Sequence, residues 1–440
     1  MKKVKKAILL VIFILVSIFI YILVNNKKDV STNINNKDIK SIDINFGEQV
    51  YTYNSYIYIY GKSRIKILKN NDVLLEDKFS FENPKIVTSF DKLAICDVNN
   101  KVAKVYSSSG HMYTVNSSNN ILGFSINKNG VLAIIFKVGD NYQIEVYYNG
   151  DKLYSINNIN YDEGVPVSVS VSNDNKILAI SYIKSKGATI DSNIVFHSME
   201  SNKVFGGVIK ENQIVGIIKF SDKNNLIGIS DREIFITDIN GNLSSGQVKE
   251  IYKKDLSNIL KYINFLDGIG YVIGYGKSID SENNPISENT VIFYNQSGGE
   301  MGRYDDANKN IENIYSNKYG AILKNSRTFT GISTSGRKLW TYQATQDIQD
   351  INYFNDEQVI ITTNDKIKIV KLNKNTIDIG INEDTSQKVE ETSTEKTSGK
   401  EKTLNKNTEE KNKKIDKNIE EDTTKNNDAK AETKEAKWLF

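Results

Sequence analysis

The sequence predicts an all-β protein: an eight-bladed β-propeller, with seven blades as the alternative, preceded by one transmembrane helix and followed by a disordered tail. Three observations predict it. Apolar residues alternate with a period of two through most of the chain, as in Tyr51-Thr-Tyr53 and Tyr56-Ile-Tyr58-Ile-Tyr60. A strand–turn–strand motif recurs between positions near 50 and near 350. Its seven steps average about 43 residues, the spacing of one four-stranded blade. Composition changes abruptly at both ends of this array.

The first segment, residues 1–28, reads as a cytoplasmic basic stub and a signal-anchor. Lys2, Lys3, Lys5 and Lys6 precede Ala7 to Val24, 18 residues without a charge. As a helix at about 1.5 Å per residue this stretch covers roughly 27 Å, close to the apolar thickness of a bilayer. A cleaved signal peptide is the alternative, but it favours a shorter apolar stretch ending in small residues. Here the stretch ends Leu23-Val24-Asn25-Asn26-Lys27. Four lysines lie before the helix and only Lys27 and Lys28 after it. That bias places the N-terminus in the cytoplasm and all that follows outside, as a single-pass cell-membrane protein.

Residues 29–40 read as a linker and 41–373 as the propeller. Its clearest repeats begin at Phe124, Val171, Phe220 and Tyr353, each an aromatic or apolar residue, a polar turn rich in Asn and Asp, and then an apolar run such as Val131-Leu-Ala-Ile-Ile135. The polar residues suit a tight turn, and the run suits a strand buried on both faces. Weaker copies begin at Thr88, Phe265 and Tyr315. The last repeat, Asp350 to Leu372, has room for three strands, so Ile42-Asp-Ile-Asn-Phe46 is expected to supply the fourth and close the ring. A pair of β-sandwiches also repeats short strands but lacks the four-strand period.

Residues 374–440 read as a disordered charged tail. From Ile381 to Lys437 there are 13 Lys and 15 Asp or Glu in 57 residues, and no aromatic residue. Such a segment cannot bury enough apolar surface to offset chain entropy. It ends in Trp438-Leu439-Phe440, which holds one of the two tryptophans of the chain. An apolar terminus on a polar chain suits capture by a groove that also grips the free carboxylate, so these three residues are the candidate partner-binding site.

Chemistry-bearing residues are scarce. Lys plus Arg is 57 and Asp plus Glu 54, a net charge of +3, which argues against nucleic acid as a partner. Cys96 is the single cysteine, and His111 and His197 are the two histidines. No zinc set can be assembled from them, and neither histidine neighbours a nucleophile motif. The acidic segments Asp238 to Asn242 and Asp280 to Asn284 lack the twelve-residue calcium pattern and read as turns. Tyr142, Tyr147, Tyr148 and Tyr161 lie near expected strand ends, where aromatic rims can stack sugars. The expectation is no catalytic residue, no metal and no cofactor.

Thr334-Ser-Gly336-Arg-Lys-Leu-Trp340-Thr-Tyr342 resembles the repeat of quinoprotein-like and WD40-like propellers. The order of anchor, propeller and charged tail resembles membrane-anchored propeller proteins of low-GC Gram-positive bacteria. Quinoprotein enzymes of that fold use a quinone with calcium, an adjacent-cysteine disulfide and a catalytic Asp, and a chain with only Cys96 cannot form the disulfide. The resemblance therefore implies the other branch, envelope assembly scaffolds without a cofactor. The expected function is an extracytoplasmic protein-interaction scaffold in cell division or wall assembly. It would bind envelope membrane proteins through propeller loops and tail, and the bilayer through Ala7 to Val24. A cell-wall glycan-binding propeller is the first alternative and a propeller lyase or hydrolase the second.

Overall fold

The computed structural model describes residues 33–70, 72–239, 248–256, 260–275, 289–306 and 311–373. The signal-anchor, the tail with Trp438–Phe440, and the acidic segments at 240–242 and 280–284 lie outside these residues. Among the described residues no helix is long and apolar enough to cross a membrane.

Among the described residues thirty-two strands form eight four-stranded antiparallel sheets, so the ring has eight blades rather than seven. Blades 1 to 7 are consecutive: 49–78, 84–116, 120–159, 165–210, 215–255, 260–306 and 313–343. Blade 8 takes three strands from 350–373 and its fourth, β1 (Asn33–Asp43), from the start of the chain. This closure was expected from Ile42 to Phe46, but the strand begins at Asn33 and ends at Asp43. Residues 33–40 therefore belong to the propeller and not to a linker. The reason is physical: an outermost strand pairs on one edge only, so Asn33–Lys40, with Ile34 and Ile39 set among polar residues, can join without an alternating apolar pattern to reveal it. A register shift between Asn35 and Lys40 interrupts the ladder to β32 (Lys366–Asn373).

Burial follows the order of strands within a blade. First strands of neighbouring blades pack against one another and line the axis. Second strands carry the apolar runs and are the most buried, β19 (Leu226–Ser230) and β23 (Gly270–Tyr275) along their whole length. Fourth strands such as β5 (Asp72–Lys78) and β21 (Lys249–Asp255) are largely exposed.

The core is divided among the eight junctions between neighbouring blades. Between blades 8 and 1, Ile44, Val50, Ile57, Ile59 and Leu68 meet Phe354, Ile360, Ile367 and Ile369. Burying one such side chain contributes roughly 1.5–3 kcal/mol, against about 0.5–1.5 kcal/mol for a hydrogen bond. Apolar packing therefore closes the ring, and polar contacts set its register. Those contacts join successive blades: Tyr51 Oη to Phe90 O (2.8 Å), Tyr113 Oη to Gly130 O (2.7 Å) and Asn127 Nδ2 to Ser172 O (2.9 Å). They continue with Asn173 Nδ2 to Ser221 O (3.0 Å), Gln296 Nε2 to Asp222 Oδ2 (3.0 Å), Asn264 Nδ2 to Ser316 O (3.0 Å) and Asn317 Nδ2 to Tyr353 O (2.5 Å).

Because strands alternate in direction, the turns between first and second and between third and fourth strands share one face, here the near face. Hairpins between second and third strands, and the links between blades, share the far face. Asn33 pairs with Asn373 at the near-face end of blade 8, so the chain enters and leaves the ring on the near face.

Candidate functional site

The two mouths of the axis hold two carboxyl groups that burial pushes above their ordinary range. At the near mouth, the turn after β22 (Leu260–Leu266) presents Asp267. Its Oδ2 accepts a hydrogen bond at 2.7 Å from the Phe90 amide. Phe90 lies in blade 2 and Asp267 in blade 6, four blades apart in a ring of eight, so this bond crosses the axis. Tyr51 of blade 1 holds the Phe90 carbonyl, and the Tyr53 ring meets the Phe90 ring edge-on at 6.2 Å. Phe90 has φ of 55°, a left-handed conformation that a bulky residue adopts only at a cost.

Around this bridge lies a polar pocket of about 350 Å³ including its open mouth, lined by Phe90, Asn173, Lys219, Asp222, Asp267 and Gln296 among others. Lys219 Nζ stands 3.7 Å from Asp267 Oδ1 and 5.2 Å above the Phe265 ring. Burial pushes the Asp267 carboxyl above its ordinary range. The Asp222 charge adds to this, while Lys219 and the Phe90 amide oppose it.

At the far mouth, Asp350 opens the first strand of blade 8, β30 (Asp350–Tyr353). Burial pushes its carboxyl up to about 6, against the opposing Ile351 amide and Asn352 side chain. Asn352 Nδ2 lies 3.1 Å from both carboxylate oxygens. The Asp350 charge reaches Tyr60, Tyr262 and Tyr315, whose hydroxyls are held above their ordinary range mainly by burial.

The residues singled out from sequence do not converge. His111 is exposed on β9 (Gly110–Asn116), 3.0 Å from Thr114 Oγ1. His197 lies on β16 (Thr189–Ser198), 3.3 Å from Tyr154 Oη, and burial holds its imidazole below the ordinary value. Among the described residues neither bonds to a serine or a carboxylate. Among the described residues no group of three His, Cys, Asp or Glu could hold a metal ion. The four tyrosines divide between the faces. Tyr142 opens β12 (Asn141–Tyr148) on the far face, and Tyr147 and Tyr148 close it on the near face. Tyr161 stands 67% exposed on the far face. Trp340 is structural: fully buried, it packs on Gly331, where a Cβ would lie 2.1 Å from the indole, and meets Tyr353 of blade 8 edge-on.

Asp267, Phe90 and Asp350 were not singled out from sequence. One signal for Phe90 was present. In Tyr53-Asn54-Ser55-Tyr56 the left-handed turn position holds Asn, with φ of 51°, and in Ser89-Phe90-Asp91-Lys92 it holds Phe. An aromatic residue where a sibling repeat uses Asn marks a turn held by something outside itself.

These features define an eight-bladed propeller whose axis is tied across its near mouth. Residues 25–372 match a family of unknown function, DUF5711, and the chain belongs to that family. No curated protein matches the chain. Among solved structures, the C-terminal WD40 domain of Sif2 is similar at 11% identity and a TM-score of 0.49, over 75% of this chain and 98% of that one. The quinohemoprotein alcohol dehydrogenase ADHIIG from Pseudomonas putida HK5 is similar at 8% identity and a TM-score of 0.47, over 79% of this chain and 78% of that one.

Proposed function

We propose that the protein is a membrane-tethered propeller whose far face captures partner proteins of the bacterial envelope, in cell division or wall assembly. The anchor is Ala7 to Val24, with the propeller outside the cell. The observation that supports this reading is the division of labour between faces. The chain enters and leaves on the near face, and the far face carries recognition-type loops. Phe46 is 84% exposed there, Tyr161 67% and Ile190 43%.

Ile190 sits on a projecting hairpin of blade 4, β15 (Ile177–Lys186) and β16. The first strand of that blade reaches only to Ile183, yet the hairpin ladder runs on to the pair Lys186 and Thr189. Its three further residue pairs stand about 10 Å proud at roughly 3.4 Å each. Exposed apolar side chains on a loop fixed by a rigid scaffold are the usual form of a protein-binding surface. The glycan reading gains nothing from tyrosines split between two faces. Trp438–Phe440 remain a second docking element in this proposal. A tail of about 65 residues has a root-mean-square reach of roughly 45 Å.

Photocrosslinking residues placed at Tyr161 and Ile190 of the full chain, in cells, test the reading. Discrete protein adducts are expected at both, and none at Leu153 on the other side of the disc. Equal adduct patterns at all three positions would refute far-face capture. A reporter fused at residue 375 that is active only in the cytosol would refute the orientation.

A further inference from the structure

We infer that the near face of the propeller lies flat on the bilayer through an arc of apolar side chains on the outer strands, so that the disc is docked on a lipid surface as well as tethered to it. This rests on the anchor proposed above. Single exposed apolar residues are ordinary on any protein. Here the arrangement is not single. Val73 and Leu74 on β5, Leu153 on β13 (Asp151–Ile159), Val204 on β17 (Lys203–Lys210), Ile251 on β21 and Met301 on β25 (Glu300–Asp306) are all exposed. Each lies within the first three residues of a fourth strand, and each fourth strand starts on the near face. At the far-face end of these strands only Ile209 is a comparably exposed apolar residue among those described.

Blade position explains why the arc implies a flat disc. The chain joins the ring at β1, in blade 8. Residues 25–32, the eight residues between Val24 and Asn33, extend at most about 29 Å at roughly 3.6 Å each. Blade 8 must therefore stay near the bilayer. Leu153, Val204, Ile251 and Met301 sit on blades 3, 4, 5 and 6, across the ring from blade 8, and Val73 and Leu74 sit beside it on blade 1. Support at one edge by the tether and at the opposite edge by apolar side chains holds a disc parallel to a surface. Lys203 and Lys249 flank the arc and can lay their stems along the interface with ammonium groups in the headgroups, while the Lys152 ammonium is paired with Glu145. Asp151 is an exposed acid on the same rim, and Glu250 and Glu300 are paired with Lys210 and Arg303, so little net charge remains and the contact is apolar and does not require anionic lipid.

The test uses the full chain in phosphatidylcholine vesicles, with and without phosphatidylglycerol. Environment-sensitive labels go on Leu153→Cys, Val204→Cys and Ile251→Cys, with Tyr161→Cys and Ile190→Cys as far-face controls. The native Cys96 is fully buried and does not compete for label. The expected result is loss of emission at the three rim positions when nitroxide lipid is included, none at the controls, and the same pattern in both lipids. The triple variant carrying Val204→Asp, Ile251→Asp and Met301→Asp should abolish quenching at Leu153→Cys and leave the melting temperature unchanged, because all three sites are exposed. Unquenched rim labels on a chain that resists alkaline extraction would overturn the flat docking and leave the anchor standing. A chain released by alkaline extraction would overturn both.

Discussion

The two mouths of the axis each bury a carboxyl group, and the same burial is put to different ends. At the far mouth Asp350 has Asn352 as its side-chain partner and, among the described residues, no salt bridge. Its charge is a cost, and its carboxyl rises to about 6. At the near mouth Asp267 rises in the same direction, yet Lys219 and the Phe90 amide lie against it. There the carboxylate spans the ring and satisfies an amide in the opposite blade. Burial sets the direction of a carboxyl shift, and the partners decide whether the residue stabilises the fold.

Replacing each carboxyl should therefore give opposite signs. Asp267→Leu leaves the Phe90 amide without its acceptor and removes the only bond described across the axis, costing about 2 kcal/mol of stability, within the usual 1–3 kcal/mol for an orphaned buried donor. Asp267→Asn keeps an acceptor oxygen and should recover most of that loss. Denaturant midpoints of the three proteins at neutral pH check this. Equal stability of Asp267→Leu and wild type would end the distinction between the mouths.

Asp350→Asn should stabilise the fold above pH 7, by up to about 2–3 kcal/mol if the displacement from an ordinary value of about 3.9 is taken in full. Below about 6 the folded chain holds a proton that the unfolded chain releases until about 4. The contribution of Asp350 to stability thus rises as pH falls through that window and is flat above it. Asp267 slopes the same way. A stability–pH profile should lose part of its slope between about pH 4 and 6 in Asp350→Asn. An unchanged slope would mean that Asp350 is solvated.

How far this was legible beforehand depends on whether a feature is local. All eight repeat starts coincide with first strands, because the apolar run of each second strand, such as Leu132–Val138, must be buried on both faces and so writes itself into the sequence. The closing strand was displaced because Asn33–Lys40 shows no alternating apolar pattern, and its ladder to β32 is interrupted between Asn35 and Lys40. The axial tie was illegible because Phe90 and Asp267 are 177 residues apart, and nothing in either repeat says which blade will face which until the number of blades is fixed. The tyrosines lie at strand ends as expected, but strand ends alternate between faces, so Tyr142 and Tyr147 open onto opposite sides of the disc.

The smallest effect comes from exchanging the two turns. Asn54 and Phe90 hold the same left-handed position in two-residue loops of adjacent blades, with φ of 51° and 55°. Left-handed backbone costs a residue with Cβ roughly 1–2 kcal/mol, least for Asn. Phe90→Asn relieves that strain and loses an edge-on contact with Tyr53 worth about 0.5–1.5 kcal/mol, so the two nearly cancel. The expected change is under about 1 kcal/mol. Asn54→Phe brings the same strain into a turn that has no acceptor reaching across the axis, and it removes the Lys318 partner of Asn54. It should cost about 1–2 kcal/mol. If the two reciprocal substitutions cost the same in denaturant, the turn of Phe90 accommodates an aromatic residue no better than the turn of Asn54 does.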